Sequence, residues 1–151
     1  MAIMENKKVV IVLPTYNERD NIRNFIDFLL ETIYKIEKKA PFLIEVLVVD
    51  DNSPDGTANE VEKYFKQNPK VSLINNNSRG LGNAYIKGFM YAMQNMFPDI
   101  LMQMDADFSH NPEDIIKILN PLLDKYDFVI GSRYIPGGSI PKNWHFIRKL
   151  L

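Results

Sequence analysis

Asp105-Ala106-Asp107 sets two carboxylates two residues apart, directly after the apolar run Ile100 to Met104. Side chains at i and i+2 of an extended segment project to the same side. Two like charges so placed repel each other and call for a cation. The chain has no cysteine and His110 is the only imidazole nearby, so the available donors are oxygens. Oxygen donors select a hard cation, Mg2+ or Mn2+. Mg2+ is typically held by one or two carboxylates plus substrate phosphates, so the implied ligand is a diphosphate. The alternative is an Asx turn in which Asp107 and Ser109 only lead into the next helix.

A second acidic cluster, Asp50-Asp51-Asn52-Ser53-Pro54-Asp55-Gly56, has Asp51, Ser53, Asp55, Gly56 and Glu62 at the spacing of an EF-hand calcium loop. An EF-hand loop lies between two helices, whereas the segment entering this one, IEVLVVD, reads as a strand. Pro54 and the small Ala58 also fit poorly. A turn into a helix explains the spacing, with Asp51 and Ser53 bonding backbone N–H groups and Gly56 permitting the turn. Asp51, and with it Asp50, would be free to accept hydrogen bonds from a base or ribose, because carboxylates are pure acceptors. Tyr16 offers a ring face for base stacking or is a half-buried loop residue. Glu18 is an acceptor for a ribose or base donor, or a first-turn helix acid.

Arg79 and Arg133 have the planar, permanently charged fork that suits phosphate oxygens. Arg79 is equally readable as a solvated turn residue, and Arg133 as half of a structural ion pair. SRGLGNAYIKG approaches a phosphate-binding glycine loop, but GxGxxG fails at Tyr85 and no GxxxxGK[ST] occurs. Gly80 and Gly82 are read as shaping a turn before a helix. His110 is expected to cap or pack rather than to bind metal, and Trp144 to pack.

These clusters are spaced by alternating elements. Strands are predicted at Val9–Leu13, Ile44–Asp50, Val71–Ile74, Ile100–Met104 and Phe128–Ile130. Helices are predicted at Asn21–Lys39, at Thr57–Gln67 with a capping box from Thr57 to Glu60, at Gly82–Asn95, and from Asn111 to about Lys125. Alternation of this kind specifies βαβ units and a parallel sheet with helices on both faces. PTYNE, DDNSPD, NNNSRG, DADFSH and GSRY each follow a strand. The carboxyl ends of parallel strands share one edge, where open α/β sheets bind ligands.

The 151 residues make one ordinary domain, 46% hydrophobic and 25% charged, with a formal net charge of -1. That charge gives no global field toward nucleic acid. The opening MAIMENKKVVIVLP is too short in its apolar run for a signal peptide. No apolar run approaches the roughly 20 residues of a membrane span.

LPTYNERDNI, VVDDNSPDGT, SRGLGNAYIKGF, MDADFSHNPE and GSRY, in order from about Val9 to Tyr134, resemble family 2 glycosyltransferases of the GT-A fold. Within that family the chain is most similar to the polyprenyl-phosphate mannosyltransferase branch. The resemblance implies a Rossmann-like α/β nucleotide-sugar-binding fold. It also implies transfer of mannose from GDP-mannose to a polyprenyl (dolichyl) phosphate with inversion, assisted by Mg2+ or Mn2+. Pro14, Tyr16 and Glu18 would line the nucleotide pocket, with Val49 and Asp51 continuing it. Asp105 and Asp107 would hold the metal and diphosphate, Ala106 would meet the donor through its backbone, and Arg133 would contact donor or acceptor phosphate. Some members carry Gln where this chain has Ser109, a weaker ligand whose place water can fill.

A phosphate monoester acceptor has its second pKa near ~6 and arrives ionised, so no general base is required. The implied setting is the cytoplasmic face of a membrane, with peripheral contact. The resembled domains continue well past Leu151. The fold is therefore expected to be C-terminally incomplete, with 1–151 the nucleotide-sugar-binding portion of a GT-A domain. Two other readings stand beside this one: a related transferase using UDP-glucose or another donor, and a non-catalytic nucleotide-binding fragment that needs its other half.

Overall fold

The computed structural model describes residues 5–124, 126–136 and 138. They fall into two compact units that divide between Glu113 and Asp114. The first contains β1 (Lys7–Thr15), α1 (Arg19–Glu37), β2 (Phe42–Asp50), α2 (Thr57–Phe65), β3 (Val71–Asn75), α3 (Leu81–Asn95) and β4 (Ile100–Gln103). The strands form one sheet in the order β3-β2-β1-β4, and every pairing is parallel. The chain lays β2 and β3 on one side of β1, then crosses back to place β4 on the other. That reversal puts the topological switch point between β1 and β4, where a doubly wound sheet opens a crevice at its carboxyl edge.

The two central strands carry near-continuous apolar runs because both of their faces are covered. On one face Val10, Val12, Leu47 and Val49 pack with Ala84 and Ala92 of α3. Gly88 permits that approach: a Cβ there would overlap Val12 Cγ1 and come within 2.9 Å of Val49 Cγ2. On the other face Val9, Ile11, Leu13, Ile44, Val46 and Val48 are fully buried. The helices left to cover it are α1, through Ile22, Phe25, Ile26, Leu29 and Ile33, and α2, through Val61.

The second unit departs from expectation. The single helix predicted from Asn111 to about Lys125 is instead a 3-10 turn at Pro112–Asp114, α4 (Ile115–Leu119) and α5 (Pro121–Asp124). Pro121 has no N–H to continue the ladder and its ring clashes with the preceding turn, so the helix breaks there. Phe128–Ile130 forms no strand, and Phe128 and Ile130 are exposed. A three-residue apolar run is too short to identify an element by its period. Lys125 and Trp144 lie outside the described residues.

Candidate active site

The loops after β1 and β2 clasp each other. Backbone N–H groups of Asn17, Glu18 and Arg19 donate to Ser53 Oγ, Thr57 Oγ1 and Asp55 Oδ2, each at 3.0 Å. Helix α1 begins at Arg19 with Glu18 as its N-cap residue, and Glu18 makes no side-chain cap. Its first donors are satisfied in trans by the second loop, as a helix terminus requires. This accounts for the calcium-like spacing. Ser53 and Asp55 spend their oxygens on the start of α1, and Glu62 lies on exposed α2 surface. Thr57 is the first residue of α2, not its cap; Gly56, at φ 91°, precedes it. Thr57 Oγ1 donates to Asp55 Oδ1 at 2.6 Å, and Glu60 pairs with Lys63, so no capping box forms.

The acidic pair at the end of β2 divides its work. Asp50 is buried and accepts from Thr15 Oγ1 at 3.0 Å and from the Ser53 hydroxyl and N–H at 2.7 and 2.8 Å. It ties the end of β1 to the second loop. Asp51 is 7% exposed and accepts from Asn76 Nδ2 at 2.5 Å and from the Gly80 N–H at 2.7 Å. Neither is the free acceptor expected from sequence. Asp51 keeps one lone pair on each oxygen, since a carboxylate offers about four acceptor sites.

Tyr16 is exposed on the same edge, but Arg79 takes one face of its ring. The guanidinium carbon lies 5.0 Å from the ring centroid, and Arg79 Nη2 donates to the phenol oxygen. A base can stack only on the other face. Glu18 accepts from Asn21 Nδ2 at 3.0 Å. Pro14 and Val49 are neighbours in the β1–β2 register and both are buried, with Val49 beneath Gly88. Val49 therefore has no surface to offer a ligand.

At the end of β4, Asp105 stands at the switch point. Its Oδ1 accepts from the Tyr85 phenol at 2.8 Å, and its N–H donates to His110 Nδ1 at 3.0 Å. His110 Nε2 lies 3.8 Å from Asp105 Oδ2, so the imidazole folds back over the loop. Burial first, then the hydrogen bond and charge of Asp105, push the Tyr85 phenol far above its ordinary range and keep it a donor. Ala106 is buried. Phe108 has φ 60° and sets its ring edge-on to Phe25 of α1, with centroids 5.1 Å apart. Burial pushes the Asp107 carboxyl up, but the Ser109 hydroxyl and N–H outweigh it and hold Asp107 below the usual carboxylate range. The Ser109 N–H bond is 2.9 Å, so the Asx turn weighed as the alternative is present at Asp107. Among the described residues no group of three or more His, Cys, Asp or Glu side chains could hold a metal. Two carboxylates with only oxygen donors fit a hard cation that completes its shell with a diphosphate. Arg133 lies in a turn of the second unit, beside the Tyr134 N–H bond to Ser132 Oγ at 3.2 Å.

Tyr85 and Asn76 were not singled out by sequence. Tyr85 is partly buried beside the α3 stripe of Ala84, Gly88 and Ala92, and a tyrosine there needs a partner for its hydroxyl. That requirement was the available signal.

Residues 10–150 match the model of glycosyl transferase family 2. The chain belongs to that family. It is 34% identical over 152 residues to the polyprenol monophosphomannose synthase of Mycolicibacterium smegmatis, covering 99% of this chain and 54% of that protein. It is 38% identical over 145 residues to the undecaprenyl-phosphate mannosyltransferase of Micrococcus luteus, covering 95% and 55%. The chain thus spans about half the length of these relatives. A mannosyltransferase from Pyrobaculum calidifontis, solved in complex with GDP-Man and Mn2+, superposes with TM-score 0.54 and 27% identity over 74% of this chain and 30% of that one. The family's parallel α/β architecture of the GT-A type is the one the four-stranded sheet displays.

Proposed function

We propose that this chain carries the donor site of an inverting transferase that moves mannose from GDP-mannose to a polyprenyl phosphate. The carrying observation is the Asp105–Asp107 pair at the β1/β4 switch point, across the sheet edge from the Asp51 pocket and Tyr16. The names of the relatives and the bound GDP-Man of the structural neighbour support mannose and guanosine diphosphate as the donor.

In the reaction an oxygen of the acceptor phosphate attacks C1 of mannose from the face opposite the leaving group. The C1–O bond to the β-phosphate breaks, and its electron pair leaves with GDP. A divalent cation, Mg2+ or Mn2+, held by Asp105 and Asp107, would neutralise the charge developing on that diphosphate. The acceptor monoester is already ionised at neutral pH, so the protein need supply no base. What the chain supplies is position. Asp51 accepts from ribose or base, and Tyr16 stacks the base on the ring face that Arg79 leaves open. Glu18 adds an acceptor beside them. Pro14 and Val49 support the pocket from the core, Ala106 meets the donor through its backbone, and the Arg133 fork suits donor or acceptor phosphate. In this reading residues 1–151 are the nucleotide-sugar-binding portion of a GT-A domain. The acceptor in the same reading is a lipid, and the work is done at a membrane surface, on its cytoplasmic face. No helix among the described residues is long and apolar enough to cross a membrane.

The test is calorimetric titration of GDP and UDP into the chain with and without Mn2+, followed by transfer of labelled mannose to polyprenyl phosphate. Mn2+-dependent preference for GDP, lost in Asp107→Ala, is expected. An Asp107→Ala variant that binds donor and metal normally and transfers at full rate overturns the reading. UDP preference moves the donor to another nucleotide sugar.

A further inference from the structure

We propose that Tyr85 is a positioning residue for this donor site: its phenol holds Asp105 in the orientation in which that carboxylate meets the cation and diphosphate. The inference rests on the donor-site reading above.

A carboxylate at the end of a strand has a broad terminal torsion and settles only where its oxygens are held. Asp105 is held at two points. The His110 imidazole accepts its backbone N–H at 3.0 Å, and the Tyr85 phenol donates to Oδ1 at 2.8 Å. With Oδ1 engaged toward α3, Oδ2 is the oxygen for a ligand; His110 Nε2, 3.8 Å away, is beyond hydrogen-bond distance of it. A phenylalanine would fill the same space against Phe89, whose ring centroid is 5.9 Å away, so the hydroxyl itself is what Asp105 requires.

Tyr85 is itself on a fixed element. Five residues before it, the Gly80 N–H is anchored to Asp51 at 2.7 Å. Three residues after it, Gly88 seats α3 directly on Val12 and Val49. One helix therefore joins Asp51, on the nucleotide side, to Asp105, on the diphosphate side. Carboxylates that bind metals are themselves hydrogen-bonded, and loss of such a partner typically costs about 10–100-fold in metal affinity or activity.

The experiment compares wild type with Tyr85→Phe by GDP titration with and without Mn2+, alongside thermal unfolding. In the variant, Tm and metal-free GDP affinity are expected to stay at wild-type values. The gain in GDP affinity that Mn2+ confers is expected to fall by about 10–100-fold. An undiminished Mn2+ gain overturns the proposal. So does a variant that melts several degrees lower and loses metal-free GDP affinity in parallel, because the hydroxyl would then be structural. Wild type with no Mn2+-dependent GDP binding overturns the donor-site reading itself, a result distinct from either of these.

Discussion

The backbone N–H of Gly80, at the start of α3, is held 2.7 Å from Asp51 Oδ2 at the end of β2. The other Asp51 oxygen takes Asn76 Nδ2, so one buried carboxylate joins β2, the loop after β3 and α3. Replacing it with Ala removes the acceptor of the Gly80 N–H, on an exposed residue, and one of the two acceptors of Asn76 Nδ2, which also donates to Ser78 O at 2.8 Å from a residue 2% exposed. A hydrogen bond to a charged group contributes about 1.5–3 kcal/mol. Asp51→Ala is expected to lower stability by about 1–3 kcal/mol. Asp51→Asn, which keeps one acceptor, should cost about half as much. Urea unfolding checks this: the midpoint should move while the m-value stays constant.

Two glycines of α3 should respond to Ala in opposite directions. At Gly88 the new Cβ meets Val12 and Val49, which are fully buried on adjacent strands and cannot retreat. Overpacking costs about 1–3 kcal/mol and exceeds the ~1 kcal/mol that Ala gains in helix propensity. At Gly82 nothing lies within 4 Å of a Cβ. Gly82→Ala is therefore expected to stabilise by up to about 1 kcal/mol. Thermal melts of both variants decide it. Gly88→Ala should also lift Tyr85 away from Asp105 and reduce the Mn2+ gain in GDP affinity.

The strands were legible because the runs around Val9–Leu13 and Ile44–Asp50 are buried on both faces and read as unbroken apolar segments. The candidate site was legible as polar clusters that each follow a strand. What sequence could not show was mutual engagement. Asp50 and Asp51 are chemically alike and adjacent, and only the fold reveals that Asp50 closes on Thr15 and Ser53 while Asp51 reaches Asn76 and Gly80. Periodicity starts α1 two residues late, at Asn21 and not Arg19, because its capping groups, Ser53, Asp55 and Thr57, lie more than 30 residues downstream. Local signals cannot carry a cap supplied in trans. Phe128–Ile130 failed for the opposite reason: it is locally apolar, but nothing beyond its three residues marks a strand.

The clasp between the first two loops should be sensitive to acid. Burial pushes the Asp55 carboxyl up, but bonds from the Thr57 hydroxyl, the Arg19 N–H and the Thr57 N–H outweigh it, so its pKa lies below the ordinary value. In the unfolded chain an aspartate titrates near ~3.9. Between the folded and unfolded values the unfolded state binds more protons, so stability rises with pH across that window. The contribution is complete above the unfolded value and is lost as pH falls through the folded one. Stability measured by denaturant at pH 5 and pH 3 should therefore drop more in wild type than in Asp55→Asn. Equal drops would show that the clasp does not depend on the ionised carboxylate.

Phe108 separates a backbone cost from a packing gain. Its φ of 60° costs a residue bearing a Cβ roughly 1–2 kcal/mol, and its ring recovers part of this against Phe25. Phe108→Ala loses the ring and keeps the strained backbone. Phe108→Gly loses the ring but relieves the strain, offset by the greater freedom of glycine in the unfolded chain. Both variants are expected to be less stable than wild type, with Gly the better of the two by about 1 kcal/mol. Both also unpin the turn that carries Asp107, so the Mn2+ gain in GDP affinity should fall in each, and by more in Gly, whose turn is the looser. A Gly variant that recovers stability over Ala and retains the full Mn2+ gain would show that the Phe25–Phe108 contact serves the fold alone.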